Sequence, residues 1–269
     1  METVRGYGLA AVLLLCAVLA APAGAAGPEA PLDMLAGGGT ALVSEIVDGD
    51  TVLLADGREV RLVGIQAPKL PLGRRNFQKW PLADRARSEL EALVLGREVT
   101  LAYGGRRVDR HGRQLAHLVL ADGGWIQSIL LSRGLARVYS FPDNRALVAE
   151  MLAAERAARA ARAGIWGHPF YAIRSPDGLV RDIGTFQLVE GRVLDAARVR
   201  GTVYLNFGED WRSDFTIVIR KKALKAFEAA GFDLLALEGR FVRIRGWLDK
   251  RNGPMIAATH PEQIEILAD

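Results

Sequence analysis

Basic side chains without acidic neighbours are concentrated between residues 61 and 75. This stretch contains Arg61, Lys69, Arg74 and Arg75, and it has no aspartate or glutamate. A guanidinium group is planar, stays charged at any working pH and binds two phosphoryl oxygens at once. The pattern therefore predicts a phosphate-binding surface. The alternative is an ordinary solvated loop, and for Arg74 and Arg75 neither interpretation is preferred.

Two other short stretches place charged residues at turns. Residues 47–52 read Val-Asp-Gly-Asp-Thr-Val, and residues 109–113 read Asp-Arg-His-Gly-Arg. An Asp-Gly-Asp sequence alone is a common turn, in which Asp48 either supports a neighbouring site or only shapes the chain. The four histidines, at positions 111, 117, 168 and 260, lack the spacing of metal ligands.

Hydrophobic patterns predict the elements that position these stretches. In the first half the predicted order is strands at 41–47, 51–55 and 58–65, a helix near 82–93, strands at 98–103 and 115–120, and helices at 126–133 and 144–163. Asp56-Gly57 predicts a hairpin turn, and Gly164 is a natural end for the last helix.

The second half repeats this order more compactly. The predicted elements are strands at 187–194, 202–206 and 214–220, a helix at 222–230, and strands at 240–248, 255–258 and 263–267. This is the strand and helix order of an OB-fold. The predicted fold class is therefore mainly β with helices (α+β). It comprises a five-stranded OB-fold barrel with three helices at 41–167, a linker at 168–184, and a second small OB-like β-barrel at 185–269.

Five motifs in the first half together resemble the staphylococcal nuclease (thermonuclease) family. They are Val47–Val52, Val60–Lys69, Asp109–Arg113, Gly134-Leu135-Ala136 and Gly164-Ile165-Trp166. The resemblance covers about residues 41–167, with the motifs in the family's order and on the expected elements. It implies an OB-fold enzyme that uses Ca²⁺ to cleave phosphodiester bonds in DNA and RNA.

The resemblance also implies roles for individual positions. Asp50 matches the first metal-binding aspartate, and Ala67 matches a position that offers a backbone carbonyl to the metal. Arg61 and Arg113 match the two arginines that hold the phosphate and stabilise the charge of the transition state. His111 lies where the family often has an aromatic residue near the nucleic acid, so it either stacks on a base or simply packs.

Two positions depart from the family pattern. Gln66 stands where the family has its second metal-binding aspartate, and Lys69 stands where it has the glutamate that orients or deprotonates the attacking water. Affinity for Ca²⁺ falls as carboxylates are removed, and a protonated lysine neither coordinates a metal nor accepts a proton. Gln66 could still offer a neutral oxygen. We therefore expect that the phosphate site is kept, that Ca²⁺ binding is weakened and that catalysis is impaired.

Other features leave alternatives open. The aromatic residues within 203–215 form either a stacking platform for single-stranded nucleic acid or barrel core with a hairpin tip. Arg243 and Arg245 share a strand face that either follows a phosphate backbone or is a solvated exterior. The run from Arg156 to Arg162 is predicted as a solvated helix face, supported by Glu155 and Arg159 at i,i+4.

Composition and the N-terminal sequence bound the remaining questions. The 269 residues carry 35 Lys+Arg against 31 Asp+Glu, a net charge of +4, and one cysteine. These values are typical of a globular protein, exclude an internal disulfide and a cysteine-cluster zinc site, and only weakly favour a polyanionic partner.

The N-terminal sequence predicts a cleaved signal peptide over 1–25, from Arg5, an apolar run at 9–20 and Ala23-Gly24-Ala25. The mature chain is then secreted or periplasmic without a membrane segment, whereas the alternative is an uncleaved anchor.

Three functions are open at this point. The first is an exported nuclease with an altered metal site. The second is a non-catalytic relative that binds the phosphate backbone of DNA or RNA. The third is an envelope protein whose barrels bind an unknown protein partner. The family resemblance favours the first, Gln66 and Lys69 favour the second, and the third has no positive signal in the sequence.

Overall fold

The computed structural model describes residues 34–268, so the predicted signal peptide lies outside the described residues. The strands of the first half are β1 (Ala36–Asp48), β2 (Thr51–Leu54), β3 (Glu59–Leu62), β4 (Ile65–Gln66), β5 (Glu98–Tyr103), β6 (Gln114–Leu120) and β7 (Arg137–Val138). Those of the second half are β8 (Phe186–Arg192), β9 (Asp195–Val199), β10 (Thr202–Asn206), β11 (Thr216–Ile219), β12 (Phe241–Arg251), β13 (Gly253–Ala258) and β14 (Ile264–Ile266). The helices are α1 (Ala83–Val94), α2 (Ile126–Ser132), α3 (Val148–Ala160) and α4 (Lys221–Ala229). Within residues 34–268, no helix has the length and apolar character needed to cross a membrane.

A closed barrel of five strands, in the order β1-β2-β3-β6-β5, forms the first half. β3 and β6 pair in parallel, and the other neighbours are antiparallel. The long β1 closes the barrel because its first part pairs with β5 and its last part with β2. The predicted fold class, mainly β with helices, is confirmed.

Helices cover this barrel with apolar faces. In α1, Ala83, Ala86, Leu90 and Val94 recur at helical spacing and are buried. The last three belong to the same hydrophobic core as the barrel strands. α2 and α3 pack against each other and contribute to that core as well. The barrel and its helices therefore share one hydrophobic core.

Two boundaries differ from the sequence prediction for identifiable reasons. The predicted strand at 58–65 is interrupted because Gly64 adopts φ +82°, after which β4 pairs with β7 instead of continuing β3. The predicted helix at 144–163 begins only at Val148 because Leu147 adopts a left-handed conformation with φ 58°. A two-residue strand has no periodicity of its own, so hydrophobic patterns cannot indicate it.

The strands of the second half form one seven-stranded sheet, in which neighbouring strands follow an order similar to that of the first barrel. β9, β10, β11, β13 and β12 are consecutive neighbours, with β11 and β13 parallel. β8 pairs with β12, and the chain then continues into β9, which pairs with β10. Residues 186–199 thus take the place that β1 has in the first barrel. The sequence did not predict β9, whose side chains are all at least partly exposed and show no alternation.

The segment 168–184, predicted as a linker, packs against both halves. Tyr171 is buried, and its hydroxyl donates to the carbonyl oxygen of Pro81 at 2.7 Å. Leu179 belongs to the hydrophobic core of the second half. These contacts tie the two halves together in addition to the covalent connection.

The aromatic residues within 203–215 divide between core and surface. Phe207 and Phe215 are buried in the second core with ring centroids 5.0 Å apart. Trp211 is 52% exposed and lines a groove of about 510 Å³ together with Tyr204. The phenylalanines are therefore core residues, and Trp211 lies in the turn between β10 and β11, as the alternative of core with a hairpin tip predicts.

Arg243 and Arg245 correct the prediction of a solvated strand face. Along the predicted helix face, Arg156 and Arg162 are exposed and the predicted Glu155–Arg159 pair is present, but Glu155 itself is buried. Arg245 and Glu155 are fully buried, and two hydrogen bonds of 3.0 Å join the guanidinium to the carboxylate. Arg243 pairs with Glu190 and Glu265. Arg243 and Arg245 neither follow a phosphate backbone nor face solvent, because carboxylates of the protein surround them.

Candidate active site

Asp50 lies at the turn between β1 and β2 and is fully buried. Its carboxylate accepts a hydrogen bond from the backbone N–H of Ala67 at 2.6 Å and lies 3.2 Å from the guanidinium of Arg61. The buried Asp48 accepts a hydrogen bond from the backbone N–H of Asp50 at 3.0 Å, which shapes the turn. The turn therefore buries two carboxylates close together.

The ammonium group of Lys69 lies between these two carboxylates. Its Nζ donates to both carboxylate oxygens of Asp50 at 2.7 Å and to Asp48 at 3.2 Å. Burial alone would raise the pKa of Asp50, but the charges of Arg61 and Lys69 hold this pKa well below its ordinary value. Burial and the charge of Asp50 raise the pKa of Asp48, and Lys69 opposes that shift. Lys69 thus supplies the positive charge that this buried pair requires.

A second cation engages the side-chain oxygen of Gln66. Arg137 donates to this oxygen through Nε at 3.0 Å and through Nη2 at 2.7 Å. The two side chains meet because Gln66 and Arg137 are partners in the β4–β7 pair. Burial lowers the pKa of Arg137 to about 10, so the guanidinium still carries its charge at neutral pH. The sequence did not indicate this contact, since the partners are 71 positions apart.

The donor set around Asp50 does not fit a divalent cation. Ca²⁺ takes about six to eight oxygen ligands and favours carboxylates. Here Lys69 occupies both oxygens of Asp50, and Arg137 occupies the oxygen of Gln66. In the part of the chain that the structure describes, no group of three or more His, Cys, Asp or Glu side chains could hold a metal ion. The cation beside Asp50 is therefore a side chain of the protein itself.

Arg61 and Arg113 line one cleft of about 480 Å³, called here the arginine cleft. Arg61 donates to the backbone carbonyls of Leu62 at 2.7 Å and Ile65 at 2.6 Å, and its side chain is 11% exposed. Arg113 pairs with Asp109 at 2.7 Å and is 29% exposed. The protein's own acceptors thus orient both guanidinium groups, which the sequence predicted for a phosphate site.

Further arginines and three aromatic rings line the same cleft. The charged side chains are Arg61, Arg106, Arg110, Arg113, Asp109 and Asp143. The rings are those of Tyr139, Phe141 and Trp247. The surplus of arginines over aspartates favours an anion, and the rings favour a ligand with flat groups. The sequence did not single out these rings, because Tyr139 and Phe141 follow the short β7 and Trp247 lies on β12 in the second half of the chain.

The other predicted binding residues divide between the arginine cleft and the exposed loop after β4. His111 lines the cleft, and its Nε2 accepts a hydrogen bond from Nε of Arg110 at 3.0 Å. Arg74 is exposed, with its guanidinium 3.7 Å from the ring centroid of Phe77. Arg75 is exposed as well. The structure thus brings His111, and neither Arg74 nor Arg75, to the cleft of Arg61 and Arg113.

Comparisons with known proteins point to one family. The family model described as staphylococcal nuclease homologue matches residues 59–168. An uncharacterized endonuclease of Escherichia coli O157:H7 is 32% identical over 127 residues, which cover 46% of this chain and 74% of the relative. Endonuclease YncB of Bacillus subtilis is 30% identical over 130 residues, which cover 46% of this chain and 60% of the relative. An uncharacterized protein of Bacillus anthracis is 34% identical over 129 residues, which cover 46% of this chain and 59% of its own length.

Proposed function

The chain belongs to the staphylococcal nuclease family, and we propose that it binds the phosphate backbone of DNA or RNA in the arginine cleft while its phosphodiester hydrolysis is impaired. The observation that carries the proposal is the ammonium of Lys69 on both oxygens of Asp50. Relatives named as endonucleases support nucleic acid as the ligand.

Backbone binding is supported by the guanidinium groups of the cleft. Arg61 and Arg113 are held by acceptors of the protein, so little side-chain entropy is lost when they meet a phosphate. A planar guanidinium can donate hydrogen bonds to two phosphoryl oxygens, and it contributes equally to the binding of DNA and of RNA because both have the same phosphate group. Binding through such contacts releases counterions and must weaken as salt rises.

Impaired hydrolysis is supported by what Lys69 does at its position. The family pattern has a glutamate there to orient or deprotonate water, whereas the Nζ of Lys69 donates hydrogen bonds to the carboxylates of Asp48 and Asp50. A protonated lysine cannot accept a proton from water. Its charge also stands where a divalent cation would approach Asp50. Both the base and the cation of the family's usual reaction are thus affected by one residue.

A digestion and binding assay on a single-stranded DNA oligonucleotide tests this proposal. The wild type should bind the oligonucleotide with an affinity that falls as NaCl rises, and cleavage with Ca²⁺ or Mg²⁺ should not exceed cleavage with EDTA. Robust Ca²⁺-dependent turnover that Asp50→Ala abolishes would contradict the impairment. Absent or salt-insensitive binding would favour the protein-partner function instead.

The variant Gln66→Asp/Lys69→Glu tests the stated cause of the impairment. It restores two carboxylates at the positions where the family has them, so Ca²⁺-dependent cleavage should rise above that of the wild type. Lys79→Glu is the matched control, because Lys79 lies in the same loop but pairs with the exposed Asp84. Equal activity of the double variant and this control would show that the two substitutions are not the cause.

We also propose that the protein is exported, with secretion or a periplasmic location following from the N-terminal sequence. Arg5, the apolar run at 9–20 and the small residues after it are the support for this part of the proposal.

A further inference from the structure

One wall of the arginine cleft comes from the second half of the chain. Trp247 lies on β12, is 49% exposed and lines the same cleft as Arg61 and Arg113. The family match ends at residue 168, so Trp247 lies outside it. The second half of the chain therefore changes the shape and chemistry of a cleft that otherwise belongs to the first barrel.

The ring of Trp247 has a fixed position in that wall. Its indole Nε1 donates to the hydroxyl of Tyr139 at 2.8 Å. Tyr139 in turn packs edge to face against Phe141 and Phe186, with centroids 4.9 Å and 4.8 Å apart. Phe186 also packs against Trp247 at 6.5 Å. An exposed indole held in this way keeps one surface free for a ligand without the entropic cost of ordering it.

One buried ion pair and two further side-chain contacts hold the strand that carries Trp247, and the segment that follows β13, against the first barrel. Arg245 lies two residues earlier on the same face of β12 and bonds Glu155 of α3 through two contacts of 3.0 Å. Glu262 binds Arg145 at 2.8 Å, and the ring of His260 lies 2.7 Å from the hydroxyl of Ser140. The wall is therefore a permanent part of the cleft.

The combined chemistry of the cleft identifies the class of ligand. Arginines attract a phosphate, whereas an exposed indole beside them offers a flat apolar face. A nucleotide unit has both parts, and stacking on an aromatic side chain is open to any base. Inside a duplex, however, neighbouring base pairs cover both faces of every base. A base can reach an indole wall only when it is unpaired.

We propose that Trp247 is a base-stacking residue that makes the arginine cleft selective for single-stranded nucleic acid. This inference rests on the proposed function, because it assigns the substrate class of the same cleft. Trp247 acts by contact with a base, and the arginines act by contact with the backbone. The two contributions are therefore separable by experiment.

Fluorescence anisotropy with the full chain and labelled oligonucleotides tests this inference. The probes are a single-stranded DNA, the matched duplex, and a strand of the same length made of abasic sites. Trp247→Ala should weaken binding of the single strand about tenfold and leave the duplex and abasic affinities unchanged. Trp247→Phe keeps a ring, loses the indole donor and should stay within about threefold of the wild type.

Trp211→Ala is the matched control, because Trp211 is exposed to a similar extent in the second half of the chain but lines a different groove. It should bind all three probes like the wild type. The inference is overturned if Trp247→Ala binds the single strand with the affinity of the wild type, or if its affinity falls equally for all three probes. It is also overturned if Trp211→Ala lowers the affinity for the single strand as much as Trp247→Ala does. A wild type that binds no oligonucleotide would overturn the proposed function as well. Salt-dependent binding that Trp247→Ala leaves unchanged would overturn only the stacking wall.

Discussion

The ammonium of Lys69 separates two carboxylates that would otherwise repel each other inside the turn at residues 48–50. Asp50 is completely buried, so its charge needs a partner that water cannot replace. Arg61 at 3.2 Å is one such partner, and Lys69 at 2.7 Å is the closer one. The contact that stabilises the turn is also the contact that fills the place of a divalent cation. Structure and proposed loss of hydrolysis therefore depend on the same nitrogen atom.

Removal of this ammonium should destabilise the fold. In Lys69→Gln the buried carboxylates lose a charged partner, and the free energy of unfolding at pH 7 should fall by about 2–4 kcal/mol. Lys79→Gln, at an exposed ion pair of the same loop, should cost less than about 1 kcal/mol. Urea denaturation of both variants measures the difference. Equal free energies of unfolding for Lys69→Gln and Lys79→Gln would show that Arg61 alone compensates the buried charge of Asp50.

Residue types predicted the charge of this site but not its contacts. The sequence indicated that Lys69 brings a positive charge near Asp50, because both belong to motifs of known order. It could not indicate that Nζ reaches both aspartates, since this depends on where the loop after β4 returns. The contacts of Gln66 with Arg137 and of Trp247 with Tyr139 join distant positions, and no local spacing encodes them.

At the scale of elements, two glycine turns lock α2 to α3. Gly134 follows α2 with φ +63°, and Gly164 follows α3 with φ +52°. A Cβ built on Gly164 would overlap the carbonyl oxygen of Gly134, and a Cβ built on Gly134 would overlap the carbonyl oxygen of Ala163. The backbone N–H of Ile165 donates to the Gly134 carbonyl at 2.8 Å. Both glycine motifs therefore serve one close contact between two chain turns.

Substitution of Gly164 should show the cost of this contact. Gly164→Ala combines an unfavourable φ with a backbone overlap and should lower the free energy of unfolding by about 2–4 kcal/mol. Gly73→Ala provides the control, because Gly73 has φ +76° but a Cβ added there would meet no atom within 4 Å. It should cost about 1 kcal/mol. If thermal or urea denaturation gives equal losses, the strain of φ rather than the contact dominates.

Elements with their own periodicity or turn chemistry were predictable, and elements defined by a distant partner were not. Alternation of apolar and polar residues predicts β10 at Thr202–Asn206. Asn252-Gly253 predicts a turn, and Asn252 adopts positive φ there. β4 and β7 exist only because they face each other. β9 is a strand because β10 lies beside it, not because its own side chains alternate.

At the scale of the whole molecule, a buried ion network joins the first barrel and its helices to the sheet of the second half. Arg245 of β12 contacts Glu155 of α3 and Glu265 of β14, and Arg159 contacts both glutamates. Burial would raise the pKa of Glu265, but the charge of Arg245 and the neighbouring arginines lower it to about 2. Such networks fix an orientation more than they add stability, since desolvation offsets much of the attraction. Here the orientation that they fix is the one that places Trp247 in the arginine cleft.

Loss of the central cation should therefore weaken the whole molecule. Arg245→Met leaves the buried Glu155 with the ion pair to Arg159 but without the pair to Arg245, and it should lower the free energy of unfolding by about 3–5 kcal/mol at pH 7. Arg133→Ala, at the exposed pair with Glu89, should lower the free energy of unfolding by less than about 1 kcal/mol.

Glu265 stabilises the fold above its ordinary pKa of 4.5, and this contribution is lost as the pH falls toward 2. The difference in stability between the wild type and Arg245→Met should consequently narrow below pH 4.5. A difference in the free energy of unfolding that stays constant in urea titrations from pH 7 to pH 3 would mean that packing around Arg245, rather than its charge, holds the two halves of the chain together.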